Sequence, residues 1–129
     1  METKQMRRLV SGPDDVPAID DRGGEIRVLI SPTSVQSTKL IMGTATVPVG
    51  GNVLLHVHPH SEECFYVLQG KGEITIEGVG VVPFKAGEAV LTPQGSNHSI
   101  VNVGDEEIRV VFAAGPLAPS PKDGHLILE

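Results

Sequence analysis

Three imidazoles and two carboxylates crowd into the start of one short stretch of this chain, HVHPHSEECFYVLQG, residues 56 to 70. Neutral imidazole nitrogens and ionised carboxylate oxygens are the donors that divalent transition metals take. An ion with coordination positions left over polarises a carbonyl or activates a water. His56 and His58 stand two apart in an apolar alternation that predicts a strand, so both side chains leave the same face. Two imidazoles so placed reach a single ion, at about 2.0–2.1 Å per nitrogen for zinc. Pro59 ends the regular pairing, and the chain turns through His60, Ser61 and Glu62. Glu63 then opens the next strand, expected to lie antiparallel and adjacent, from which its carboxylate points back at the same ion. Phe65 and Val67 share the Glu63 face and form an apolar wall. A further donor, His98, opens a later strand after a proline–glycine turn in GEAVLTPQGSNHSIVN.

The elements that must hold these residues are short strands. Fifteen glycines and ten prolines break the 129 residues into pieces too short for most helices. Between the breaks the apolar positions alternate with a period of two: Ile74 and Ile76 against Thr75 and Glu77, then Ile108, Val110 and Phe112 against Glu107 and Arg109. Other strands are expected over Ile26–Ile30, Lys39–Val47, Val53–His58, Glu63–Gln69, Val79–Phe84, Glu88–Thr92 and His98–Val103. The connectors PVGGN, QGKG, EGVG, KAG, PQG and NVGDE carry turn chemistry. Many short strands at regular spacing predict an all-β sandwich or small barrel. Residues 1–24 read as an N-terminal arm, 25–115 as one barrel domain and 116–129 as a proline-rich C-terminal tail.

The spacing is G-x5-H-x-H-x4-E-x6-G from Gly50 through His56, His58 and Glu63 to Gly70. It is followed by G-x5-P-x-G-x2-H-x3-N from Gly87 through Pro93, Gly95 and His98 to Asn102. Both patterns resemble the two motifs of the cupin superfamily, without a gap. The resemblance implies a cupin double-stranded β-helix, a jelly-roll-like barrel, and assigns His56, His58, Glu63 and His98 as the ligands of one divalent transition metal per chain. Zinc, iron, manganese, nickel and copper all suit such a set, and the ligands alone do not choose among them. Four protein ligands on an ion that accepts six leave up to two positions for water or substrate.

A closer likeness, to the small single-domain cupins encoded with aromatic polyketide synthases, rests on R-V-L-x-S-P before the barrel, H-P-x-S-E-E at the metal strand and G-P-L-A-P-x-P…G-H at the end. It implies a cyclase or isomerase acting on a polyketide-like or other oxygen-rich small molecule. An iron-dependent dioxygenase and a non-catalytic small-ligand binder are the alternatives. Members often carry tyrosine where this chain has His60. That histidine is the candidate catalytic residue, a base or extra ligand at the metal rim, against the plainer reading of a solvated turn residue.

The remaining chemistry is sparse. Glu62 faces opposite to Glu63 and reads as a surface charge. Cys64, the single cysteine, is expected in the core or an interface, Tyr66 between subunits, and His125 exposed in the tail. Phe65, Tyr66, Phe84 and Phe112 are the only aromatics, so the pocket is expected to be aliphatic. A net charge of −6 with no basic stripe argues against a nucleic-acid partner. No run is long enough to span a membrane, and the opening METKQMRRLV does not read as a signal peptide, so a cytoplasmic protein is expected. The strand-like EIRVLI after the arm suggests a homodimer with swapped edge strands, or else a strand folded back on its own barrel.

Overall fold

The computed structural model describes residues 8–129. Its strands are β1 (Glu25–Ile30), β2 (Ile41–Val47), β3 (Asn52–Val57), β4 (Glu62–Gln69), β5 (Lys71–Ile76), β6 (Gly80–Lys85), β7 (Ala89–Thr92), β8 (His98–Asn102), β9 (Ile108–Gly115) and β10 (Leu126–Ile127). They form two antiparallel sheets, ordered β1-β2-β9-β4-β7 and β10-β3-β8-β5-β6. The chain changes sheet at almost every connection, and only β1–β2 and β5–β6 are sequential partners. This is the double-stranded β-helix that the motif spacing implies.

The alternation that predicts the strands also sorts their faces. Ile74 and Ile76 of β5, Phe65 and Val67 of β4, Ile108 and Phe112 of β9 and Phe84 of β6 are all buried in one cluster. Each such side chain contributes about 1.5–3 kcal/mol by leaving water. Phe65 and Phe84 meet edge-to-face across the two sheets, with ring centroids 5.3 Å apart. Pro83 is tolerated because β6 is an edge strand and needs no second row of hydrogen bonds. An apolar groove of about 620 Å³ runs beside β6 and β7, lined by Ile76, Val82, Phe84, Val90 and Leu91.

Three features differ from the sequence expectation. First, β3 and β4 are not neighbours: β3 pairs with β8 and β10, whereas β4 pairs with β7 and β9 in the opposite sheet. The turn at Pro59 carries the chain across the interior, so Glu63 faces the histidines rather than standing beside them. Second, S-P-T-S nucleates a short helix, α1 (Pro32–Val35), where no helix is expected. Ser31 caps it by accepting from the Ser34 amide at 3.1 Å, and Pro32 sits at its first turn.

Third, residues 116–129 fold back along β3. Leu126 lies opposite Val57 and Ile127 opposite His56, and the Leu128 amide donates to the Leu55 carbonyl at 2.8 Å. The other half of the same edge is covered from the N-terminal side, where the Leu54 amide donates to the Arg22 carbonyl at 3.1 Å. Ile19 exchanges two hydrogen bonds with Ile26, of 2.7 and 2.8 Å, and Arg27 donates to the Pro13 carbonyl at 2.8 Å. Strand β1 pairs with β2 of its own chain. Both flanking segments therefore shield sheet edges that would otherwise stand open.

Candidate metal centre

His56 and His98 stand directly opposite each other on the paired strands β3 and β8, and their ring centroids are 4.1 Å apart. His58 follows two residues along, at 4.9 Å from His56 and 5.3 Å from His98. From the facing sheet, the Glu63 carboxylate reaches to 3.4 Å from His58 Nε2 and 4.0 Å from His98 Nε2. One donor atom from each of His56, His58, Glu63 and His98 lies within 4.8 Å of every other. The four residues grouped from the motifs are thus brought together at one end of the interior.

The outer nitrogens explain how the rings are aimed. Nδ1 of His56 lies 2.6 Å from the Leu54 carbonyl, Nδ1 of His58 2.8 Å from the Gly124 carbonyl, and Nδ1 of His98 3.0 Å from the Ser96 carbonyl. A carbonyl oxygen only accepts, so each Nδ1 carries the proton and each Nε2 presents a lone pair inward. Backbone carbonyls holding Nδ1–H in this way fix the tautomer and orientation a metal needs. Nε2 of His58 and Nε2 of His98 are buried and have no hydrogen-bond partner. Two orphaned buried lone pairs beside a carboxylate are costly unless something fills the space between them. The turn before His98 is tied to the same place by the Gly95 amide, which donates to the His58 carbonyl at 3.0 Å. Gly95 has φ +75°, a conformation that disfavours side chains.

The cupin domain model matches residues 43–114. This chain is a cupin. It is 42% identical to Protein SchB of Streptomyces halstedii over 98% of its own length and 91% of that protein. It is 38% identical to Polyketide synthase CurC of Streptomyces cyaneus over 97% of its length and 80% of that protein. Among solved structures, a predicted oxalate decarboxylase from Thermotoga maritima superposes with a TM-score of 0.69 at 28% identity, covering 84% of this chain and all of that one.

The electrostatics of this cupin's site follow from burial. Burial pushes His56 down to about 4, and the neighbouring His98 adds to the effect. Burial lowers His98 as well. His58 goes the other way: burial acts to lower it, but the Glu63 carboxylate, 3.4 Å from its Nε2, raises it overall. Glu63 is held below its ordinary value despite its own burial, chiefly by His58. Two neutral imidazoles and one imidazole–carboxylate pair make a site ready to exchange a proton for a cation.

The other chemically interesting residues scatter. His60 is exposed on the turn after β3, Glu62 is exposed, and Tyr66 points outward from β4. Cys64 is exposed on the outer face of β4 and not in the core, because it alternates with the buried Phe65. His125 corrects the sequence expectation most clearly. Its ring stacks on His56 at a centroid distance of 4.1 Å and an angle of 7°, held there by the return of β10 along β3. The apolar run LIL after KDGH is the only local hint of that strand. Arg22 also approaches: its half-buried guanidinium is lowered from its ordinary value by burial, while Asp21 and Glu63 pull it back up. Nothing in DDRGGE announces such a role. Beside Glu63 in register, Thr92 is buried with its hydroxyl unpartnered.

Proposed function

We propose that this cupin is a metal-dependent enzyme of the cyclase or isomerase type, acting on an oxygen-rich, polyketide-like small molecule. The observation that carries the reading is the donor set itself. Three histidines, each with Nδ1 bound to a backbone carbonyl, aim Nε2 at one buried carboxylate. The name and extent of the Streptomyces cyaneus relative support the polyketide part.

His56, His58, Glu63 and His98 would hold one divalent transition metal, which when bound would supply Lewis-acid polarisation of carbonyl and enolate oxygens. The chain supplies the rest. Glu63 offsets part of the ion's charge, and the Nδ1–H bonds keep the imidazoles from turning away. Phe65 and Val67, next along β4 on the Glu63 face, are buried and keep water from the interior behind the site. His60, exposed on the turn after β3, would be the proton acceptor. A homodimer belongs to the same reading, with Leu68 and Leu91 exposed on the outer faces of β4 and β7. No helix among the described residues is long and apolar enough to cross a membrane.

A second reading, a binder or lyase of a small carboxylate, is favoured by Arg22 at the site and would place an anion between the guanidinium and the histidines. Elemental analysis of protein purified without chelator or histidine tag tests the shared premise, with one ion per chain expected and loss of that ion in His98→Ala. At free metal about a thousandfold above Kd, binding should raise stability by about 4 kcal/mol. A chain that gains neither metal nor thermal stability from any added divalent ion would overturn the reading. Turnover of a poly-β-ketone separates a cyclase from a carboxylate binder, and oxygen uptake identifies the iron-dependent dioxygenase.

A further inference from the structure

We propose that His125, carried on the C-terminal strand, is a positioning residue of the metal site that hydrogen-bonds an oxygen ligand of the 1,3-dicarbonyl class, as enol or enolate, at an open coordination position. The proposal rests on the reading of the centre given above and names a residue which that reading does not use.

The geometry sets His125 apart from both a ligand and a tail residue. Its ring is parallel to that of His56 and stacked on it, so the nitrogen lone pairs of the two rings lie in separate parallel planes and do not converge on one ion about 2 Å away. Consistently, it lies outside the group of four whose donor atoms are mutually within 4.8 Å. Yet it is edge-on to His58 at 5.0 Å. The residue is only partly buried, but its Nε2 is fully covered and has no hydrogen-bond partner. The rings packed around it are those of His56 and His58, two of the four donors. A buried imidazole nitrogen without a partner costs stability unless a ligand completes it.

The segment is anchored on both sides of His125. His58 Nδ1–H donates to the Gly124 carbonyl at 2.8 Å, and Leu126 and Ile127 pair with Val57 and His56. Inside the preceding turn, Ser120 donates to Asp123 at 2.7 Å. An imidazole Nε2 donates to an enolate or carbonyl oxygen or accepts from an enol hydroxyl, according to tautomer.

The test uses the full chain loaded with cobalt(II), whose visible spectrum reports changes among its ligands, and acetylacetone as the probe. His125→Phe keeps a ring on His56 and removes the nitrogen, while His125→Gln keeps a hydrogen-bonding group. His125→Phe should bind cobalt as the native chain does, in competition with a chelator, yet bind acetylacetone about tenfold more weakly, the scale of one lost hydrogen bond in a desolvated site. His125→Gln should recover most of the loss. Equal probe affinity in native and His125→Phe chains would overturn the proposal, and so would a parallel collapse of cobalt affinity, which would make His125 a ligand or a purely structural residue. If the native chain takes cobalt but not acetylacetone, the substrate class fails while the metal centre stands. If it takes no cobalt, the reading of the centre itself fails.

Discussion

The same three strands build two unlike halves of one interior. Towards one end, β3 contributes Val53, β4 Phe65 and Val67, and β8 Asn102. Towards the other they contribute His56, Glu63 and His98. In the first half burial is itself the stabilising force. In the second it works against folding, because each imidazole loses water and gains only one carbonyl partner at Nδ1. The comparison shows why the backbone around the histidines is so closely tied: the Nδ1 bonds, the Gly95 amide and the returning C-terminal strand hold a cluster that packing alone would disperse.

The largest expected effect lies in the apolar half. Phe65→Ala removes a side chain that meets Phe84 across the sheets, and should cost about 3–5 kcal/mol in denaturant unfolding. A loss below about 1 kcal/mol would mean that the two halves do not differ as described.

Acid should act on the polar half alone. In the metal-free chain His56 titrates at about 4 when folded and at 6.5 when unfolded. The unfolded chain therefore takes up the proton first as pH falls. Stability is fully present above pH 6.5 and declines towards pH 4, by of order 3 kcal/mol from this residue. His98 is shifted in the same direction and adds to the decline. His58 is raised, so its contribution is full at low pH and is lost as pH rises through its folded value. Denaturant midpoints of chelator-treated protein from pH 7.5 to 4.5 measure the balance. A flat profile would show that the imidazoles are better solvated than their burial indicates.

Smaller still is the effect expected at Asn102, the buried polar residue of the otherwise apolar half. Its amide nitrogen serves the carbonyls of Val47, Pro48 and Glu106 at 2.9–3.1 Å, and its oxygen accepts from the Gly104 amide at 2.9 Å. Asn102→Ala should cost about 2 kcal/mol without altering metal content, since it orphans backbone groups remote from the donors. Loss of metal in that variant would join the two halves into one unit.

Much of this was legible beforehand, for reasons that differ residue by residue. The nine strands from β1 to β9 follow from two-residue alternation. The first motif places His56 and His58 on one face because a strand has that period, and the second places His98 through a turn that Pro93 and Gly95 force. What was hidden depends on crossings between sheets. The turn at Pro59 gives no sign of whether Glu63 arrives beside the histidines or opposite them. A two-residue strand such as β10 is too short for a period, so His125 looked like part of a tail. Arg22 is placed by a backbone bond to Leu54, which no side-chain pattern encodes.

Glu63 comes from one sheet and His56 and His98 from the other, with His58 just past the end of β3, and this makes the centre a gauge of the gap between the sheets. Any ion gripped by all four reads that gap with a tolerance of about 0.2 Å. Core side chains packed between the sheets, such as Phe65 and Phe84, would therefore act as remote controls on coordination length. Changing the bulk of either ring would alter the gap with every donor left in place.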